Sequence, residues 1–216
     1  VSDDIRAVFW DFGGVILSSP FEAFNRYEAE RGLPRDFIRG VNAVNPDGNA
    51  WALLERSEIG IDDFDAMFRR ESTALGHAVD GRDVLALLSG DIRPAMVEAL
   101  RRVTARFKTA CLTNNVLSGD GPGMARSPEK AAAIAEVMTL FDAVVESSRV
   151  GVRKPQPEFY RIACDMVDIA PHEAVFLDDL GINLKPAKAL GMRTIKVTDP
   201  DAALDELEDH LGIALR

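Results

Sequence analysis

Short apolar runs that stop at polar clusters recur along this chain, separated by stretches with helical periodicity. The first run, Ile5-Arg6-Ala7-Val8-Phe9-Trp10, ends at Asp11-Phe12-Gly13-Gly14. Its length and its Ile, Val and aromatic content predict a buried strand. Phe107 to Leu112 predicts a second strand, ending in Thr113-Asn114-Asn115. Ala143 to Glu146 predicts a third, Ala174 to Leu177 a fourth that ends in Asp178-Asp179, and Arg193 to Val197 a fifth.

Between the first two strands the pattern is helical. Phe21, Phe24 and Tyr27 share one face of a segment that stops at Gly32. Phe64, Met67, Phe68 and Leu75 predict an apolar face on a helix over Ile61 to Leu75, closed by Gly76, and Asp80 to Leu88 offers another. No strand interrupts residues 18–89, which read as a separate helical module. Further on, helices are predicted over Pro94 to Ala105, from a Ser127 cap to Leu140, over Glu158 to Val167, in a short stretch after Asp178-Asp179 up to Leu190, and over Asp201 to Leu211. Val116 to Ser127 is a polar, glycine-bearing loop that could border an entrance, and Arg149 to Pro157 is a second loop. Strands alternating with helices predict an α/β fold: a doubly wound parallel sheet with right-handed crossovers, built from 1–17 and 90–216.

Composition narrows the function classes. A formal net charge of −10 argues against a nucleic-acid-binding face, and it requires local groups to draw in any anionic substrate. The two cysteines, Cys111 and Cys164, make no disulfide framework. No run is long enough to cross a membrane and no signal-peptide pattern opens the chain. The expectation is a cytoplasmic protein with no membrane partner.

In a parallel sheet the strand ends Asp11, Thr113-Asn114 and Asp178-Asp179 fall on one edge, where ligands of open α/β sheets bind. Taken singly, each also reads as an ordinary turn or helix cap. Together, carboxylates beside small hydroxyl and amide groups suit a hard cation such as Mg²⁺. Lys154, in the loop stiffened by Pro155 and Pro157, could add a positive charge, although an isolated lysine is usually solvated.

Asp11-Phe12-Gly13-Gly14-Val15, Thr113-Asn114, Lys154-Pro155 and Phe176-Leu177-Asp178-Asp179 resemble, in order and spacing, the four motifs of the haloacid dehalogenase (HAD) superfamily. The stretch from Arg153 to Val197 is most similar to the N-terminal phosphatase domain of soluble epoxide hydrolase. The resemblance implies a Rossmann-like core with residues 18–89 as a C1-type helical cap over the site. It implies a Mg²⁺-dependent phosphatase acting on a small phosphorylated metabolite. Asp11 would be the nucleophile that becomes an aspartyl phosphate. Mg²⁺ would be held by Asp11, the Gly13 carbonyl and Asp179, with Asp178 adjacent. Thr113 and Asn114 would bind phosphate, and Lys154 would balance the charge of Asp11 and the phosphoryl group.

One position departs from that pattern. The family's phosphatases usually carry a second Asp two residues after the nucleophile, to protonate the leaving oxygen and activate water; here the residue is Gly13. The expected consequence is a preference for good leaving groups, unless a cap residue such as His77 or Glu55 donates the proton. Dehalogenases also lack that acid but usually lack paired acids at the fourth motif. Phosphonate-cleaving relatives need a cap lysine, and residues 18–89 contain none. A phosphate-binding module with decayed hydrolysis is a third reading.

Overall fold

In the computed structural model, which describes residues 5–115 and 128–216, five strands form one parallel sheet in the order β3-β2-β1-β4-β5. They are β1 (Ala7–Trp10), β2 (Lys108–Thr113), β3 (Ala143–Glu146), β4 (Ala174–Asp178) and β5 (Arg193–Lys196). β1 is central, with Trp10 level with Cys111 of β2 and with Leu177 of β4.

β1, and β4 up to its final Asp178, are apolar because both faces are covered, whereas the edge strand β5 buries only Ile195 fully. Val8 and Trp10 point to one face, with Cys111, Val175, Leu177 and Ile195. Helices α6 (Pro94–Thr104), α7 (Pro128–Met138) and α11 (Pro200–Leu211) cover it. Ala7 and Phe9 point to the other, with Leu112, Val145 and Phe176, under α9 (Pro157–Val167) and α10 (Gly181–Ala189).

Between β1 and α6 run five helices: α1 (Phe21–Arg31), α2 (Phe37–Ala43), α3 (Ala50–Glu55), α4 (Ile61–Ala74) and α5 (Gly81–Ala86). They share a hydrophobic cluster of their own, including Phe24, Ile38, Leu54, Phe64, Phe68 and Val84. The two connections to the sheet run side by side. Leu17 bridges Ile92, Ser18 N–H donates to the Asp91 carbonyl, and Asp91 N–H donates to Ser18 Oγ.

Three local expectations change. Leu75 does not join the apolar face of α4; it stands at the helix end, 46% exposed, where the chain has already turned away from the cluster. The loop expected from Arg149 is preceded and partly replaced by a one-turn helix, α8 (Ser147–Val150), which Gly151 ends. Thr113 and Asp178 are the last residues of their strands rather than the first after them. The Ser127 cap and the loop Val116 to Ser127 lie outside the described residues. Among the described residues no helix is long and apolar enough to cross a membrane.

Candidate active site

The site is assembled where β1, β2 and β4 end. After Trp10 the chain makes one wide turn over Phe12–Ile16, closed by Leu17 N–H donating to the Phe12 carbonyl at 2.8 Å. Asp11 precedes the turn, and its Oδ1 accepts the Phe12 N–H at 2.7 Å. Gly14 has φ +82°, and a side chain there would collide with the carboxylate of Asp179. Only glycine accommodates both the turn and that approach.

Asp11, Asp178 and Asp179 each bring a carboxylate oxygen to within 4.8 Å of the other two. Lys154 Nζ lies 2.8 Å from Asp11 Oδ1 and 2.8 Å from Asp178 Oδ2, and 5.6 Å from the centre of the Phe176 ring. The lysine is 1% exposed and Asp178 fully buried, so this is a desolvated ion-pair network rather than a surface contact. Asp178 is saturated by protein: Oδ1 accepts the Leu180 N–H at 2.8 Å, and the Asn183 amide reaches both oxygens at 3.1 and 3.0 Å. Asn183 is itself fixed, since its carbonyl accepts the Tyr160 hydroxyl at 2.6 Å. Asp179 is only half-buried and accepts a side-chain hydrogen bond from Ser19 Oγ at 3.3 Å.

Three carboxylates face one ammonium, which leaves two negative charges uncompensated when all are ionised. Burial, then the Asp178 and Asp179 charges, push the Asp11 carboxyl well above the ordinary range against the pull of Lys154. Burial and Asp178 push Asp179 up to about 6. Burial disfavours the charged Lys154, but Asp11 and Asp178 outweigh it and hold the ammonium protonated. An all-oxygen donor set with this excess of negative charge fits a hard divalent cation such as Mg²⁺.

The other residues singled out in the sequence fall into place differently. Thr113 ends β2, half-buried, one strand from Asp11. Asn114 clamps the main chain of Lys154: its Nδ2 donates to the Lys154 carbonyl at 3.0 Å and its Oδ1 accepts the Lys154 N–H at 2.9 Å. Gly13 has φ −71° and ψ 129°, and a Cβ there would meet nothing within 4 Å. Nothing in its backbone or surroundings demands glycine. His77 packs its ring edgewise on Phe37, 5.2 Å between centres, and Glu55 is engaged by Trp51 and Arg153. Ser19 and Asn183 escaped the sequence reading. Asn183 carries a detectable signal, a short polar residue five positions after Asp178 in the first turn of a helix. Ser19 carries none.

Two cavities of about 310 and 340 Å³ lie elsewhere, one beside Arg6, Cys164 and Glu173, the other beside Leu54, Ser57 and Ile61. Chemistry rather than cavity size marks the site.

A family model described as haloacid dehalogenase-like hydrolase matches residues 5–191. The chain is 32% identical over 220 residues to bifunctional epoxide hydrolase 2 of Mus musculus, covering 96% of this chain and 39% of that protein. It thus spans well under half the length of the first curated relatives it matches. A sesquiterpene phosphatase of Aspergillus oryzae is 24% identical, with 96% of this chain and 97% of that one covered. A HAD-family enzyme of Bacteroides thetaiotaomicron, solved with magnesium and inorganic phosphate, shares the fold at TM-score 0.57 and 20% identity, over 89% of this chain and 93% of that one.

Proposed function

The chain belongs to the haloacid dehalogenase-like hydrolases, and from that premise we propose that it is a Mg²⁺-dependent phosphatase acting on a small phosphate monoester. One observation carries the reading: three clustered carboxylates share a single buried lysine, a charge balance suited to a divalent cation and the oxyanion it holds. The Aspergillus oryzae and Bacteroides thetaiotaomicron proteins, one named a phosphatase and the other solved with phosphate, support the same direction.

Asp11 is the nucleophile. The Phe12 N–H and Lys154 both meet its Oδ1, and they orient the carboxylate for attack on phosphorus. The attack forms an aspartyl phosphate as the bond from phosphorus to the leaving oxygen breaks, and with no acid at Gly13 that oxyanion takes its proton from solvent. Water then cleaves the acyl phosphate, releasing inorganic phosphate and returning Asp11. Asp11, Asp179 and the Gly13 carbonyl would hold Mg²⁺, with Asp178 beside them. When bound, the ion neutralises charge between the carboxylate and the phosphoryl oxygens. Asp178 also holds Lys154 in place, and Lys154 balances the phosphoryl charge. The Thr113 hydroxyl and the Asn114 main-chain N–H bind phosphate oxygens at the end of β2, while the Asn114 side chain stays on the Lys154 main chain. Residues 18–89 act as the cap that selects the substrate, and the site operates in an aqueous compartment, the cytoplasm.

Gly13 favours a second reading, in which hydrolysis is weak or directed at carbon. Phosphate release from p-nitrophenyl phosphate with and without Mg²⁺, alongside Asp11→Asn, tests the proposal. Mg²⁺-dependent release that Asp11→Asn abolishes supports it. Chloride release from 2-chloropropionate without metal, or phosphate binding with no turnover, overturns it.

A further inference from the structure

We propose that Glu55, carried by the helical insertion, is a positioning residue for the phosphoryl site, acting through Arg153 on the loop that presents Lys154. The inference rests on the reading of Lys154 as the cation that faces the phosphoryl group.

The main chain around Lys154 is tied within the core. Asn114 holds its N–H and carbonyl, Gln156 Oε1 accepts the Arg153 N–H at 2.8 Å, and the Arg153 carbonyl accepts the Gln156 N–H at 2.8 Å. The Arg153 side chain then leaves the loop and meets the insertion twice. It donates to the Pro46 carbonyl at 3.1 Å, and its Nε lies 2.8 Å from Glu55 Oε2. That N–H does not point along the short contact to Glu55, so the pair is held by charge rather than by an aligned hydrogen bond.

Glu55 is 6% exposed, an unfavourable place for a carboxylate unless partners compensate. One partner is internal to α3, Trp51 Nε1 at 2.9 Å; the charged one, Arg153, belongs to the core. The main chain of Glu55 makes a second crossing. Its carbonyl accepts Ser147 Oγ at 2.7 Å, and Ser147 Oγ accepts the Asn115 N–H at 3.0 Å. A single residue of the insertion therefore braces both the Lys154 loop and the strand end that carries Thr113 and Asn114. Phosphoryl transfer depends on placement of charge to within a fraction of an ångström, so loosening this brace lowers turnover before it lowers binding.

The experiment measures kcat and KM for p-nitrophenyl phosphate with Mg²⁺ in the full chain, for Glu55→Gln, Arg153→Gln, the double variant and Arg153→Lys, each with a thermal unfolding curve. Either single charge removal is expected to cut kcat about tenfold with KM within about twofold. The double variant is expected to be no slower than the slower single, and Arg153→Lys to recover most of the loss, because both residues act through one contact. A Glu55→Gln that fails to fold is replaced by Arg153→Gln, which breaks the same pair from the core side.

Wild-type kcat in the folded single variants, fully additive losses, or a raised KM with kcat unchanged would each overturn the proposal while leaving the phosphatase reading intact. A wild-type protein that binds inorganic phosphate with Mg²⁺ but releases none overturns both readings, because the role proposed for Glu55 is in turnover. A wild-type protein that neither turns over nor binds phosphate overturns both readings together.

Discussion

The carboxylate of Asp179 occupies the space that a side chain at Gly14 would need. One residue just past β1 and one just past β4 are thereby locked into a single arrangement, and the proposed metal site inherits it. Gly14→Ala is expected to push Asp179 away and to weaken Mg²⁺ binding about tenfold or more, a change of at least about 1.4 kcal/mol. Titration calorimetry with MgCl₂ checks it, with circular dichroism confirming that the sheet persists.

Gly13 presents the opposite case. Its backbone suits any residue and the space around its Cβ is open, so Gly13→Asp is expected to fold with little change in melting temperature. Restoring a carboxyl there is expected to raise turnover of simple alkyl phosphates by roughly 10²-fold, the usual contribution of a positioned acid. The wild-type rate is expected to fall steeply as leaving-group pKa rises, and the Gly13→Asp rate to fall less. A series of aryl and alkyl phosphates measures both slopes; equal slopes would count against the missing acid as the limit.

At the proposed Mg²⁺ site, protons are expected to compete with the metal. With Asp179 raised to about 6, chiefly by burial and next by Asp178, Mg²⁺ affinity is expected to decline as pH drops below about 6. The stability linkage has the corresponding sign. A carboxyl raised above its unfolded value favours the folded state fully below the unfolded pKa near 4, and that advantage is lost as pH rises through about 6. The loss is at most roughly 3 kcal/mol for a shift of this size in a half-buried group. Mg²⁺ is therefore expected to raise the melting temperature more at pH 7.5 than at pH 5, which differential scanning fluorimetry measures directly.

Lys154 lies between Asp11 and Asp178 out of contact with solvent. Lys154→Met is expected to abolish phosphate release and to lower stability by about 3–5 kcal/mol, because it strands two buried carboxylates. Adding Asp178→Asn is expected to return part of the stability and none of the activity. Urea unfolding of the single and double variants separates the two effects.

Much of this was legible in the chain. All five strands and the helical character of the insertion were readable from the pattern, most clearly β1 and β4, because strands covered on both faces leave continuous apolar runs; the edge strand β5 keeps only Ile195 fully buried. Asp11, Asp178, Asp179 and Lys154 were visible as polar residues stopping such runs or flanking a stiff loop. What the pattern does not carry is contact between distant segments. Leu75 fits the helical period of α4 yet lies outside, since periodicity says nothing of where the chain turns. Ser19 meets Asp179 across 160 positions, and Glu55 meets Arg153 from another module, so neither pairing has a local signature.

The bridge from Leu17 to Ile92 brings the insertion's outgoing and returning chains together at one point. A module joined through such a doorway can be exchanged for one of different size or lining while every strand keeps its neighbours. Under the proposed roles, the part that selects the substrate is thereby separable from the part that transforms it, except at the few places, Glu55 foremost, where the insertion touches the loop beside Lys154.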